Sequence, residues 1–210
     1  MPVSSLPEKN TKKLAQEYRA YLDFSALFGN DNPVYLELGC GLGGFAIEHA
    51  VRYPQINFIG VEKTGNVLIT ALERAKEKNL PNLRFLCVPA ETLECFFPEG
   101  SVKKIFLNFS TPLPETSRER QRLTAPRFLR IYGKILSDGG EIVQKTDSAA
   151  FFEYSLCRFS EEGFSFKDVS LDLHNSVFAE ENIVTEYERK FSSMGKPIYR
   201  LTAVKSGERV

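Results

Sequence analysis

The sequence predicts an α/β fold built on a doubly wound sheet. Two observations carry that expectation. From residue 34 onward, apolar runs rich in β-branched and aromatic residues alternate with amphipathic stretches of helical period, the pattern of parallel strands joined by crossover helices. The first run ends in a cluster of glycines that opens a helix, the form taken by a strand whose carboxyl end faces a ligand. With 210 residues, 42% hydrophobic and 26% charged, the chain has room for one domain with an ample core, and a disordered or globally basic scaffold is excluded.

Residues 1–30 precede the first strand and carry a glycine-free helical pattern over 12–27, read as an arm flanking a domain that spans 31–205. Strands are expected at 34–38, 57–61, 83–88, 103–109 and 141–144, and these five fit a doubly wound sheet. Two more, at 165–171 and 198–204, bring the sheet to seven. Helices are expected at 45–52, 66–78, 93–96, 118–136 and 149–161, each with an apolar face at helical spacing. Residues 172–197 are too long for a tight hairpin and hold a helical pattern at 187–194, so they read as a functional insertion. There is no internal repeat.

Lys plus Arg and Asp plus Glu each number 27, so any nucleic-acid surface must be local. Between residues 103 and 134 eight cations face two acids, a local charge of +6 hidden in a neutral chain. Such a stretch suits a phosphate backbone, and equally a solvated helix face. Cys40, Cys87, Cys95 and Cys157 have no C-x-x-C spacing, and only His49 and His174 could add imidazole ligands, so no metal is expected. Reduced thiols of a cytoplasmic protein are the simplest reading. The first residues lack an apolar core behind their charges, and no stretch approaches the roughly 20 apolar residues of a membrane span, so neither secretion nor insertion is expected.

The glycine turn is the strongest local signal. Gly39, Gly41 and Gly43 fit G-x-G-x-G, while Gly39, Gly41 and Gly44 fit the dinucleotide spacing. Glu37 separates the two. A carboxylate two residues before the first glycine would repel a pyrophosphate and neutralise a cationic ammonium or sulfonium. The second strand ends in Glu62, 21 residues after Gly41, about the spacing of an acid that bridges ribose hydroxyls.

Here the chain resembles the class I S-adenosylmethionine-dependent methyltransferases. The stretches 57–62, 107–110 (Leu-Asn-Phe-Ser), 122–124 (Arg-Leu-Thr), 144–147 (Gln-Lys-Thr-Asp), 152–155 (Phe-Glu-Tyr-Ser), 169–176 and 185–188 (Thr-Glu-Tyr-Glu) narrow the resemblance to the bacterial tRNA (guanine-N7-)-methyltransferases, over about 34–203. It implies a Rossmann-like, mostly parallel seven-stranded sheet with an antiparallel C-terminal strand. It also implies methyl transfer from S-adenosylmethionine to N7 of a variable-loop guanosine of tRNA, by a cytoplasmic monomer or homodimer. Glu37, Gly39, Gly41, Gly43, Glu62, Asn108 and Thr111 fall on its cofactor-binding positions. Where the family holds adenine with Asp or Asn, this chain has Pro89, which leaves backbone contacts or Glu91.

The loop after the fourth strand departs from the family. Its Asp-Pro-Trp-Pro-Lys pattern becomes Thr111-Pro112-Leu113-Pro114-Glu115, with both prolines kept and the functional side chains replaced. Thr111 thus stands at the catalytic position and Glu115 at a substrate-binding one. By resemblance Asp147 and the segment Thr185, Glu186, Tyr187, Glu188 bind the target guanosine. The two carboxylates can accept from guanine N1 and N2, and the tyrosine can stack. Thr185 and Glu188 also fit a capping box, and Asp147 a helix cap. Arg118, Arg120 and Arg122 are the expected tRNA-backbone contacts. His174 reads as a hydrogen-bonded loop residue. The alternatives are a catalytically weak or inactive RNA-binding paralogue, a methyltransferase with another target, and a nucleotide-dependent oxidoreductase, the last opposed by Glu37.

Overall fold

The computed structural model describes residues 20–205. The helical pattern expected over 12–27 lies partly outside them. Within them a short helix, α1 (Phe24–Phe28), starts where the Asp23 side chain accepts the Ala26 N–H and stops at Gly29, whose φ is 73°.

Seven strands make one sheet: β1 (Val34–Leu38), β2 (Asn57–Val61), β3 (Leu83–Leu86), β4 (Val102–Asn108), β5 (Leu136–Thr146), β6 (Phe164–Ser170) and β7 (Tyr199–Lys205). Their order is β3-β2-β1-β4-β5-β7-β6. The pairs from β3 to β5 are parallel, and β7 runs antiparallel to β5 and β6. That is the doubly wound sheet with an antiparallel C-terminal strand. All five positions of β2 are buried, as strands covered on both faces must be. Four helices complete the layers: α2 (Gly44–Arg52), α3 (Gly65–Lys76), α4 (Pro126–Ile135) and α5 (Ala149–Glu161). Leu36, Ile105 and Leu107 of the sheet share the main core with Phe128, Leu129 and Tyr132 of α4 and with Phe152 and Phe159 of α5.

Three elements differ from the sequence-based expectation. The helix expected over 118–136 is a 3-10 turn, Thr116–Gln121, followed by α4. Pro126 separates them: it lacks an N–H, holds Ala125 extended (φ −69°, ψ 150°) and occupies the first turn of α4. The segment expected as helix 93–96 is a 3-10 turn, Ala90–Cys95. The fifth strand begins at Leu136 rather than 141, running through Gly139 at φ 65°. The cap of α5 is Ser148, which accepts the Phe151 N–H, and not Asp147. Residues 172–197 fold as a 3-10 turn, Leu173–Asn175, and a helix, α6 (Glu186–Ser193).

The turn after β1 places Gly39, Gly41 and Gly43 at φ 75°, 54° and 76°. The third has a packing duty as well. A Cβ on Gly43 would stand 2.9 Å from the Ala71 Cβ and 3.2 Å from the Phe85 ring, so α2 and α3 approach only over a bare glycine. Gly43→Ala is expected to cost roughly 2–4 kcal/mol, combining left-handed strain with overpacking. A urea midpoint equal to that of the natural protein would refute this.

Candidate functional site

A cavity of about 1240 Å³ opens at the carboxyl ends of β1, β2 and β4, where the strand order reverses between β1 and β4. Open α/β sheets bind ligands there, because the loops diverge to either side. Gly39, Gly41 and Gly44 line it, while Gly43 turns away to Ala71.

Glu37, 3% exposed, forms the floor. One oxygen accepts the Asn108 amide at 2.9 Å; the other, Oε2, is buried with no hydrogen-bond partner among the described residues. Burial pushes the carboxyl up to about 8, and the Asn108 amide, the Lys145 charge and the Ala46 N–H dipole offset it only in part. An acid so placed lacks a cation. An ammonium or sulfonium in the cavity would supply one, and the orphaned oxygen fits such a ligand. Glu62, half-buried on the same wall, accepts the N–H of Gly41 at 3.3 Å and of Thr64 at 3.0 Å. Those contacts fix its orientation and leave each oxygen a further lone pair for hydroxyl donors.

Pro89 stands outside the wall, and its carbonyl already accepts the N–H and hydroxyl of Thr92. Its neighbours Val88, Ala90 and Glu91 line the cavity instead, with Glu91 paired to Arg127 at 2.8 Å. An adenine would meet apolar surface and main chain there.

The loop after β4 is held in an unusual path, with Phe109 and Leu113 at φ 51° and 45°. Arg122 secures it, donating Nε and Nη2 to the Leu113 carbonyl at 3.2 and 3.0 Å while its guanidinium lies 4.4 Å over the Tyr154 ring. Arg122 is thus spent on the loop, unlike the phosphate contact expected of it. The Phe109 ring stacks on Phe191 of α6, joining loop to insertion. Thr111 lines the cavity; Glu115 lies off it, exposed, immediately before the Thr116–Gln121 turn and 4.0 Å from Arg118.

The basic stretch is largely neutralised by acids distant in sequence. Lys104 meets Glu141, Arg127 meets Glu91, Arg130 meets Glu162 and Lys134 meets Glu94, all at 2.7–2.8 Å. Arg118 and Arg120 remain exposed on the cavity wall, joined by Lys63 and Lys190. Lys190 was legible one helical turn after Tyr187; Lys63 carried no signal beyond following Glu62.

The expected guanosine-binding residues divide. Thr185, Glu186 and the 59%-exposed Tyr187 line the cavity, with Glu186 paired to Arg74 at 2.6 Å. Glu188 does not reach it. It is fully buried, closes the capping box with Thr185 and accepts from Lys145, His174 and Asn182. Asp147 also stands off the wall, paired with Lys196 at 2.9 Å. Lys145 turns into this same buried network. His174 is the hydrogen-bonded loop residue that was expected, and His49 is buried among Tyr35, Phe45, Tyr53, Phe58 and Phe106. Among the described residues no three His, Cys, Asp or Glu side chains could hold a metal ion, and no helix is long and apolar enough to cross a membrane.

A family model described as "Putative methyltransferase" matches residues 31–201. A tRNA (guanine-N(7)-)-methyltransferase of Geobacillus sp. is 52% identical over 177 residues, covering 84% of this chain and 80% of its own. One from Pediococcus pentosaceus is 44% identical over 199 residues, 94% of each. The crystal structure of the 16S rRNA methyltransferase KamB superposes with a TM-score of 0.65 at 21% identity, over 89% of this chain and 95% of that one, a likeness of fold.

Proposed function

Because the chain belongs to the tRNA (guanine-N(7)-)-methyltransferase family, we propose that it methylates N7 of a variable-loop guanosine in tRNA, with S-adenosylmethionine as donor. A tRNA substrate places this work in the cytoplasm. The observation that carries the reading is the orphaned, buried oxygen of Glu37 under a cavity rimmed by Arg118, Arg120 and Lys190.

When bound, S-adenosylmethionine supplies a methyl group on a positively charged sulfur. Glu37 neutralises cationic charge on the donor, Glu62 accepts from hydroxyls, and Gly39 and Gly41 let the main chain come close. Guanine N7 offers a lone pair and no proton, so the protein's task is alignment and exclusion of water rather than base catalysis. Tyr187 offers a ring for stacking, and Thr111 one hydrogen bond to the purine edge. The test is transfer of labelled methyl to unmodified tRNA, followed by strand cleavage at 7-methylguanosine. Label at any other atom would overturn the assignment.

Arg118 and Arg120 supply phosphate contacts, whereas Arg122 supports the loop. Charge reversal at Arg118 and Arg120 together is expected to weaken tRNA binding by about tenfold or more near 0.1 M salt and to flatten the salt slope by roughly 2. Unaltered affinity and slope would make the pair a solvated face.

A further inference from the structure

Lys145 stands on β5 opposite Asn108 of β4, its side chain 4% exposed. An ammonium has three protons, and the insertion takes all three: Asn182 Oδ1 accepts at 3.0 Å, the Ile183 carbonyl at 2.8 Å and Glu188 Oε2 at 2.7 Å. Glu188 Oε1 accepts from Asn182 and contacts His174 Nε2 at 3.0 Å, while its Oε2 also takes the Thr185 N–H that opens α6. On its other side the same ammonium lies 5.4 Å over the ring of Phe45, a residue in the wall of the large cavity. Strand alternation sets Glu37, Asn108 and Lys145 side by side at the carboxyl edge, since Glu37 is in register with Phe106 and Asn108 with Lys145.

We propose that Lys145 is a positioning residue serving both halves of the site: through Glu188 it pins the insertion that presents Thr185, Glu186 and Tyr187, and from the same face of the sheet its charge adds to the Asn108 amide in favouring an ionised Glu37. The first role rests on the functional reading above only in so far as residues 185–187 meet tRNA. The second concerns the cofactor side alone. The charged or titratable groups around the pair are few. Glu188 on α6 and Glu37 on β1 attract the ammonium and Arg200 on β7 repels it; His174 acts on it through Glu188; the Cys40 thiol stands near Glu37. Burial leaves Glu37 reluctant to ionise, and the Lys145 charge opposes that reluctance.

Two variants separate the roles. Lys145→Met removes the three hydrogen bonds of the ammonium and leaves the buried Glu188 carboxylate without its lysine; Lys145→Met with Glu188→Gln removes the charge of both partners, and the bonds to Asn182 and the Ile183 carbonyl stay lost. Hydrogen exchange at residues 181–193 is expected to speed up about tenfold or more in the single variant, and by less but still at least about threefold in the double one, where the lone buried carboxylate is gone and the lysine bonds stay lost. Calorimetric titration with S-adenosylmethionine across pH 6 to 9.5 is expected to show, in the double variant, an affinity midpoint at least about half a pH unit above the natural one. In methyl transfer, the single variant is expected to raise KM for tRNA about tenfold with kcat less affected, and the double to restore it only in part. Natural protection of the insertion in Lys145→Met overturns the first role, and an unmoved pH midpoint in the double variant overturns the second. Should the single variant fail to fold, exchange and titration of the double variant still decide: fast exchange with a raised midpoint supports the proposal, natural exchange overturns the first role and an unmoved midpoint overturns the second. Neither readout involves tRNA, so absence of N7 transfer in the natural protein would sink the functional reading and leave this result standing.

Discussion

Replacing Thr111 by aspartate, together with Glu115→Lys, is expected to raise kcat/KM for guanine-N7 methylation by about two to four powers of ten, at roughly 1.4–3 kcal/mol per restored transition-state contact. As N7 takes the methyl group, positive charge grows on the purine. A threonine hydroxyl can hydrogen-bond to the ring but cannot offset that charge, whereas a carboxylate can. The structure separates the two contributions. Thr111 lines the cavity, so Thr111→Asp alone should carry about one to two of those powers of ten and act on kcat. Glu115 is exposed, off the wall and 4.0 Å from Arg118; its reversal removes a local repulsion of tRNA phosphate and should act on KM. The backbone should tolerate both changes, because Arg122 holds the Leu113 carbonyl with two hydrogen bonds. Steady-state transfer to unmodified tRNA decides it. Full activity of the natural protein, with no gain from aspartate, would show that one hydroxyl suffices; no gain from a low baseline, with cofactor and tRNA still bound, would point to another methylation target.

Cofactor affinity should climb with pH and depend on Glu37. In the free protein this carboxyl holds its proton up to about pH 8, because burial outweighs the Asn108 hydrogen bond and the Lys145 charge. A cationic donor favours the ionised form, so binding must expel a proton below that pH. Affinity for S-adenosylmethionine should therefore rise by up to about tenfold per pH unit toward pH 8 and level off above it. Stability of the free protein runs the opposite way. Glu37 favours the free fold fully below its ordinary value of 4.5, and that contribution is lost as pH rises through about 8. Glu37→Gln should flatten the affinity profile, and Glu37→Ala should weaken binding by roughly 1.5–3 kcal/mol with the fold intact. Calorimetry in buffers of different ionisation enthalpy counts the proton directly. An affinity flat from pH 6 to 9, or a folded alanine variant that binds as tightly as the natural protein, would remove Glu37 from the cofactor site.

Local pattern was enough to locate all seven strands and the glycine turn. Strands buried on both faces read as short apolar runs, and a turn that needs positive φ needs glycine, so both leave their marks within a few residues. Where neighbours in sequence compete, the reading failed. The apolar face over 118–136 fits one helix, yet Pro126 sets Ala125 extended and starts α4 afresh. The strand expected at 141–144 leaves out the glycines at 139 and 140, yet the chain runs through them as β5.

By itself, then, the sequence determined the layers, the strand ends that meet at the cavity and the acids Glu37 and Glu62 placed there, because each depends on spacing along the chain. Only tertiary structure decided which charges are taken up by distant acids. Arg127, Arg130 and Lys134 find Glu91, Glu162 and Glu94, leaving Arg118 and Arg120 at the rim. It likewise sent Glu188 inward to Lys145, 43 residues away in sequence, where a motif alone allowed both a cap and a reader of the base. The reason is physical. An ionisable side chain takes its role from its solvent exposure and its charged neighbours, and both are set by segments that meet only when the sheet has formed.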